Sequence, residues 1–100
     1  MLQRVWRCRI KADRAPDYEA FARHHSIPMF RRQQGYRGCI MARAGDHCEV
    51  LTLWADQAAI DALERSETYV ATVAMIRAQG FLIDELGTRV TVVHDAEMTP

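Results

Sequence analysis

The spacing of apolar positions changes period along the chain, and each change marks an element. From Leu2 to Ile10 the pattern alternates. Leu2, Trp6, Cys8 and Ile10 fall on one side, interrupted by Arg4, while Gln3, Val5, Arg7 and Arg9 take the other. Period two predicts a strand. After a connector at Lys11–Arg14 the spacing becomes helical, with Ala15, Tyr18, Phe21, Ala22, His25 and Met29 on one stripe. Asp13 is the expected cap, Pro16 falls in the tolerated first turn, and Pro28 is expected to kink or restart the helix. The segment closes at Arg31-Arg32-Gln33-Gln34.

Gly35 then opens a hairpin. Tyr36–Ala44 and Cys48–Trp54 read as strands around Ala44-Gly45-Asp46-His47. With Gly45 and Asp46 as the loop, Arg43 pairs with Cys48, Met41 with Val50, Cys39 with Thr52 and Arg37 with Trp54. Those eight side chains share a face. Tyr36, Gly38, Ile40, Ala42, Glu49, Leu51 and Leu53 take the other, and both faces are substantially apolar. A sheet with one wet face would be polar on that side. The second face is therefore expected to meet a partner subunit.

Asp56 caps a helix from Gln57 carrying Ala59, Ile60 and Leu63, and Ser66 caps another running through Tyr69, Val70, Val73 and Ile76 to Gly80. Phe81-Leu82-Ile83 is a brief apolar run, Asp84–Gly87 reads as a loop, and Thr88–His94 as the fourth strand before a polar tail. The order β-α-β-β-α-β predicts one α+β domain of ferredoxin-like type over residues 1–100, with its core at about 2–95. Paired through its open sheet face, such a domain makes a homodimer with helices outside, a dimeric α/β barrel.

Composition narrows the partners. Thirteen Lys/Arg balance thirteen Asp/Glu, so nothing pulls the whole chain toward nucleic acid. Residues 1–44 hold 10 basic against 3 acidic groups and residues 45–100 the reverse. Either the halves neutralise each other in the fold or dimer, or the arginines line an anion site. Three cysteines without CxxC spacing suit free thiols in a reducing compartment. No apolar run has signal-peptide or membrane-span length, so a cytoplasmic protein off the membrane is expected.

The chemistry-bearing residues are few. His24, His25, His47, His94 and the cysteines show no recurrent ligand spacing, so no metal is expected. No phosphate-binding glycine fingerprint or nucleophile elbow is present. His25, on the apolar stripe, reads as a pocket base or as a hydrogen-bonded core histidine. Trp54 opposite Arg37 reads as a stacked cation–π pair, and Trp6 as core or pocket wall.

The stretches VWRCRIKADRAPDYEAF, IPMFRRQQGYRGCIMAR and EVLTLWADQAAI resemble the antibiotic biosynthesis monooxygenase (ABM) domain family. The most telling parts are Gly35-Tyr36-Arg37-Gly38 and Leu53-Trp54-Ala55-Asp56. The resemblance implies a dimeric α+β barrel with a pocket between each sheet and its helices. Polyketide-pathway members of that family oxidise aromatics with O₂, without metal, flavin or other cofactor, the deprotonated substrate supplying the electrons. Trp54 matches their pocket tryptophan, but their pocket asparagine falls on Val50 and their tyrosine on Ile60. The haem-degrading relatives' Asn, Trp and His fall on Trp6, Leu63 and Val73, so haem chemistry is not implied.

The expected activity is a cofactor-independent monooxygenase for a small aromatic or quinol-like ligand. Trp6, Tyr18, Val50 and Trp54 would line the pocket, His25 or His94 would handle protons, and Arg37 would stabilise a phenolate. The alternatives are a non-catalytic ligand-binding or structural dimer, and isomerase or cyclase chemistry without oxygen.

Overall fold

The alternating first segment forms β1 (Leu2–Ile10) in the computed structural model, which describes residues 1–99. It lies inside one antiparallel four-stranded sheet of order β2-β3-β1-β4, with β2 Tyr36–Ala44, β3 His47–Trp54 and β4 Leu82–Val92. Between the strands run α1 (Ala15–Phe21), a π turn (Ala22–Ser26), α2 (Ile27–Arg31), α3 (Gln57–Arg65) and α4 (Glu67–Ala78). This is the expected ferredoxin-like α+β arrangement.

The helices pack on one sheet face and build two joined apolar clusters. Cys8, Ile10 and Cys48 meet Tyr18, Phe21, Ile76 and Phe81 at one end. Val50 and Trp54 meet Met29, Phe30, Ile60 and Leu63 at the other. Trp6 packs against both. The opposite face carries Val5, Leu51 and Leu53, with Ile40 54% exposed.

The caps of the second half are as expected. Asp56 accepts from the Ala59 N–H at 2.9 Å, and Ser66 from the Tyr69 N–H at 3.4 Å. Gly80, at φ 80°, stops α4. Asp13 caps nothing: α1 begins after Arg14 without a side-chain cap, and Arg14 turns to Asp17 instead.

The helix restarts around Pro28 as expected, and this break and two departures from expectation have local causes. Pro28 lacks an N–H and its ring would crowd the carbonyl four residues back. The helix widens ahead of it, and the Ile27 N–H reaches the Ala22 carbonyl, five residues back. In the hairpin, the expected pairs at Arg43, Met41 and Cys39 hold, but the register shifts between Tyr36 and Gly38. Trp54 therefore faces Tyr36, and Arg37 is left unpaired and exposed. The shift follows Gly35, whose φ is 84° and where a Cβ would stand 2.6 Å from that of Ala59. Tyr36 thereby turns to the helix side, its ring T-shaped to Trp54 at 5.7 Å.

Finally, β4 starts at Leu82 and ends at Val92, so Asp84–Gly87 is strand rather than loop. Two register shifts, near Ile83 and Leu86, absorb the mismatch with β1. Asp84 pairs opposite Arg9 and bonds it at 3.2 Å.

Candidate functional site

A cavity of about 320 Å³ lies between the sheet and the helices. The strands supply Arg4, Trp6, Val50, Glu85, Gly87 and Thr88. The first helical region adds Tyr18, Ala22, Ser26, Met29 and Phe30, and the second adds Glu64, Tyr69, Thr72, Val73, Ile76 and Arg77. The walls are mostly apolar and aromatic, with a few polar groups among them, the usual make-up of a small-molecule site.

Trp6, Tyr18 and Val50 line this space. Four other expected residues do not. Trp54 is fully buried behind it, its Nε1–H donating to Thr52 Oγ1 at 2.7 Å, and is a core side chain rather than a wall. Arg37 is carried outward by the bulge. His94 lies past the end of β4, exposed, its ring against the Asp95 carboxylate at 2.8 Å.

His25 is exposed and leans on Phe21, with ring centroids 4.8 Å apart. The cause is the π turn. A regular helix repeats Ala22 near His25, but the widened turn spends an extra residue, so Ser26 takes the inward position and His25 moves out. No imidazole thus reaches the cavity.

Several lining residues went unread in sequence: Ser26, Glu64, Thr72 and Arg77 look like surface positions on helices. Arg4 did carry a signal, as the charge that breaks the apolar side of β1. It is 3% exposed. Its Nε and Nη2 donate to Glu64 Oε2 at 3.4 and 3.1 Å, and Nη2 to the Tyr69 hydroxyl at 2.9 Å. Among the cavity's residues, Arg77 grips Glu85 with two bonds of 2.9 and 3.0 Å. Those bonds, above all, hold the Glu85 carboxyl below its usual range.

Tyr18 stands beside the free thiols of Cys8 and Cys48, which are paired opposite each other on β1 and β3. Burial, then the neighbouring thiols, pushes the Tyr18 hydroxyl far above its usual range. Burial first, then Cys48, pushes the Cys8 thiol up to about 12. Both groups stay protonated in the fold while the unfolded chain releases their protons near 9.0 and 10.0. Their contribution to stability is therefore whole below pH 9 and is lost as pH rises beyond it. The melting temperature is expected to fall above pH 9 by roughly 5–11 °C per pH unit for each proton the fold retains. Tyr18→Phe should flatten part of that fall in a melting series up to pH 11. A flat wild-type series would show that these groups titrate alike in both states.

Among the described residues no three His, Cys, Asp or Glu side chains gather as a metal site would require. Nor is any helix among those residues long and apolar enough to cross a membrane.

No protein-family model matches the chain, and no curated protein does. Solved structures match it in fold over nearly their whole length. HapK from Hahella chejuensis has a TM-score of 0.80 at 14% identity, over 100% of this chain and 99% of its own. A candidate antibiotic biosynthesis monooxygenase from Deinococcus radiodurans has 0.78 at 11%, over 100% and 99%. SnoaB, a cofactor-independent oxygenase from Streptomyces nogalater, has 0.75 at 17%, over 95% and 94%. At such identities the likeness is one of fold: the chain has the fold of ABM-like proteins.

Proposed function

We propose that the cavity binds a small aromatic, quinol-like compound and that the protein is a cofactor-independent monooxygenase for it. The observation that carries this reading is the cavity itself. It is an apolar, aromatic-walled space between sheet and helices, in a fold shared with an enzyme whose name records that chemistry. The substrate supplies all the electrons. For an aromatic with an acidic methylene, one oxygen atom of O₂ becomes the new carbonyl. The other leaves as water with the two hydrogens of the methylene.

The proton must first be taken by a group in the cavity, and neither His25 nor His94 lines it. Glu85 is occupied by Arg77. Glu64 is the remaining carboxylate, and only its Oε2 is engaged by Arg4. Glu64 is thus the proton acceptor, with Trp6, Tyr18 and Val50 among the walls.

Oxygen-electrode measurements over a panel of anthrones and naphthoquinols test this. One O₂ should be consumed per substrate, at a rate above autoxidation and unchanged by a chelator. Glu64→Gln should slow turnover by roughly 10²–10⁴-fold, the usual worth of a positioned base. Tight binding of the panel without oxygen uptake would make the protein a ligand-binding module instead, a reading that Val50, standing where the resemblance places an asparagine, favours.

The assembly in this reading is a homodimer through the face of Val5, Ile40, Leu51 and Leu53. Among the described residues no helix packs on that side; Ile40 is 54% exposed and Val5, Leu51 and Leu53 are half-buried, and apolar surface left to water marks an interaction site.

A further inference from the structure

Among the described residues Arg4 is the only charged side chain in the buried set. A guanidinium carries five N–H donors, and leaving them unpaired away from water is costly. Nε and Nη2 are spent on Glu64 and Tyr69. Nη1 donates to no atom of the described residues. Among the described residues no fully enclosed side-chain nitrogen or oxygen lacks a partner, so Nη1 is not sealed off, and the cavity that Arg4 lines is the open space beside it. The Tyr69 hydroxyl accepts from Nη2 and keeps its own proton to donate, and it lines the same space. The Glu64 side chain is 46% exposed, so its offset of the Arg4 charge is screened by water while the cation itself is not. The same cavity is lined by apolar side chains, Trp6, Met29 and Phe30 among them.

We propose that Arg4 determines the specificity of the cavity. Its Nη1, with the Tyr69 hydroxyl, holds the oxyanion of a phenolic aromatic whose ring lies against the apolar walls. The assignment rests on the cavity being an aromatic site and narrows its ligands to aromatics with an acidic hydroxyl. A buried cation also stabilises the ionised form, so a bound phenol loses its proton at lower pH than a free one. Arg4 acts here on binding and ionisation and takes no proton itself.

The probes are 1-naphthol and naphthalene, which differ only by the hydroxyl, titrated calorimetrically against the full chain. Wild type should bind the naphthol about 10- to 100-fold more tightly, the usual range for a hydrogen bond to a charged group. The absorbance of bound naphthol should show ionisation at lower pH than in solution. Arg4→Met should abolish both effects while keeping naphthalene affinity, and Arg4→Lys, with charge but no fork, should restore only part. Arg4→Met combined with Glu64→Gln removes both charges should the single variant fail to fold. Equal affinities in wild type, an unshifted naphthol ionisation, or a preference that survives in Arg4→Met would each overturn the role of Arg4 and leave the aromatic cavity standing. Failure of both probes to bind wild type would overturn the cavity reading along with it.

Discussion

Trp54→Ala is expected to cost about 3–5 kcal/mol, the usual loss for a fully buried tryptophan. A domain of this size is held by about 5–15 kcal/mol in all, so the variant sits near the edge of unfolding. Nothing of Trp54 reaches solvent. Its ring is T-shaped to Tyr36 at 5.7 Å and to Phe30 at 6.3 Å, and Leu2, Ile60 and Leu63 belong to the same cluster. Trp54→Phe keeps most of that packing and loses only the Nε1–H bond to Thr52, whose hydroxyl still reaches the Arg4 carbonyl at 3.4 Å. It should cost about 1 kcal/mol. Urea denaturation checks both. A pocket tryptophan, as the family resemblance implies, would behave differently: stability would change little and ligand affinity per folded molecule would drop. Lower affinity at unchanged urea midpoint would return Trp54 to the cavity wall.

What the sequence reveals and what it hides divides along a physical line. Period two along Leu2–Ile10, the turn at Gly45-Asp46 and the caps at Asp56 and Ser66 are local signals, and each element stands where they put it. The losses come where one residue is inserted into a regular repeat. The widened turn before Pro28 swaps His25 for Ser26, and the bulge after Gly35 swaps Arg37 for Tyr36. Both insertions rotate everything on one side of them, and neither has a residue type of its own. A proline or glycine near by hints that the repeat is disturbed but not by how much.

The polar half of the cavity is hidden for another reason. Arg4 and Glu64 lie 60 positions apart, and Arg4 and Tyr69 lie 65. Their meeting depends on how α3 and α4 cross the sheet. Only one end of the constellation was legible, an arginine where an apolar residue should stand. Asp84 and Glu85 mislead similarly. Two adjacent acids after an apolar run look like a loop, but Arg9 and Arg77 receive them inside a strand.

Leu51→Asp is expected to dissociate the proposed homodimer. Leu51 stands on the uncovered face, opposite Val5 on β1 and Ile40 on β2, at the middle of an apolar row that crosses three strands. In an isolated chain this face meets water, and a single polar replacement there would cost under about 1 kcal/mol. In a two-fold dimer the same patch meets itself, so the substitution acts twice. Each copy loses the burial of a leucine, about 1.5–3 kcal/mol, before any cost of enclosing a carboxylate is added. The two copies together weaken association by at least about 3–6 kcal/mol, a rise in the dimer dissociation constant of roughly 10²–10⁴-fold. Sedimentation should find wild type at twice the chain mass at micromolar concentration and the variant at the chain mass, or unfolded if the chain depends on its partner. The wild-type melting temperature should rise with protein concentration. A wild type that sediments as a monomer, or a variant that sediments with wild type as a dimer, would mean that Val5, Ile40, Leu51 and Leu53 face water and that the apolar face serves something other than a second copy.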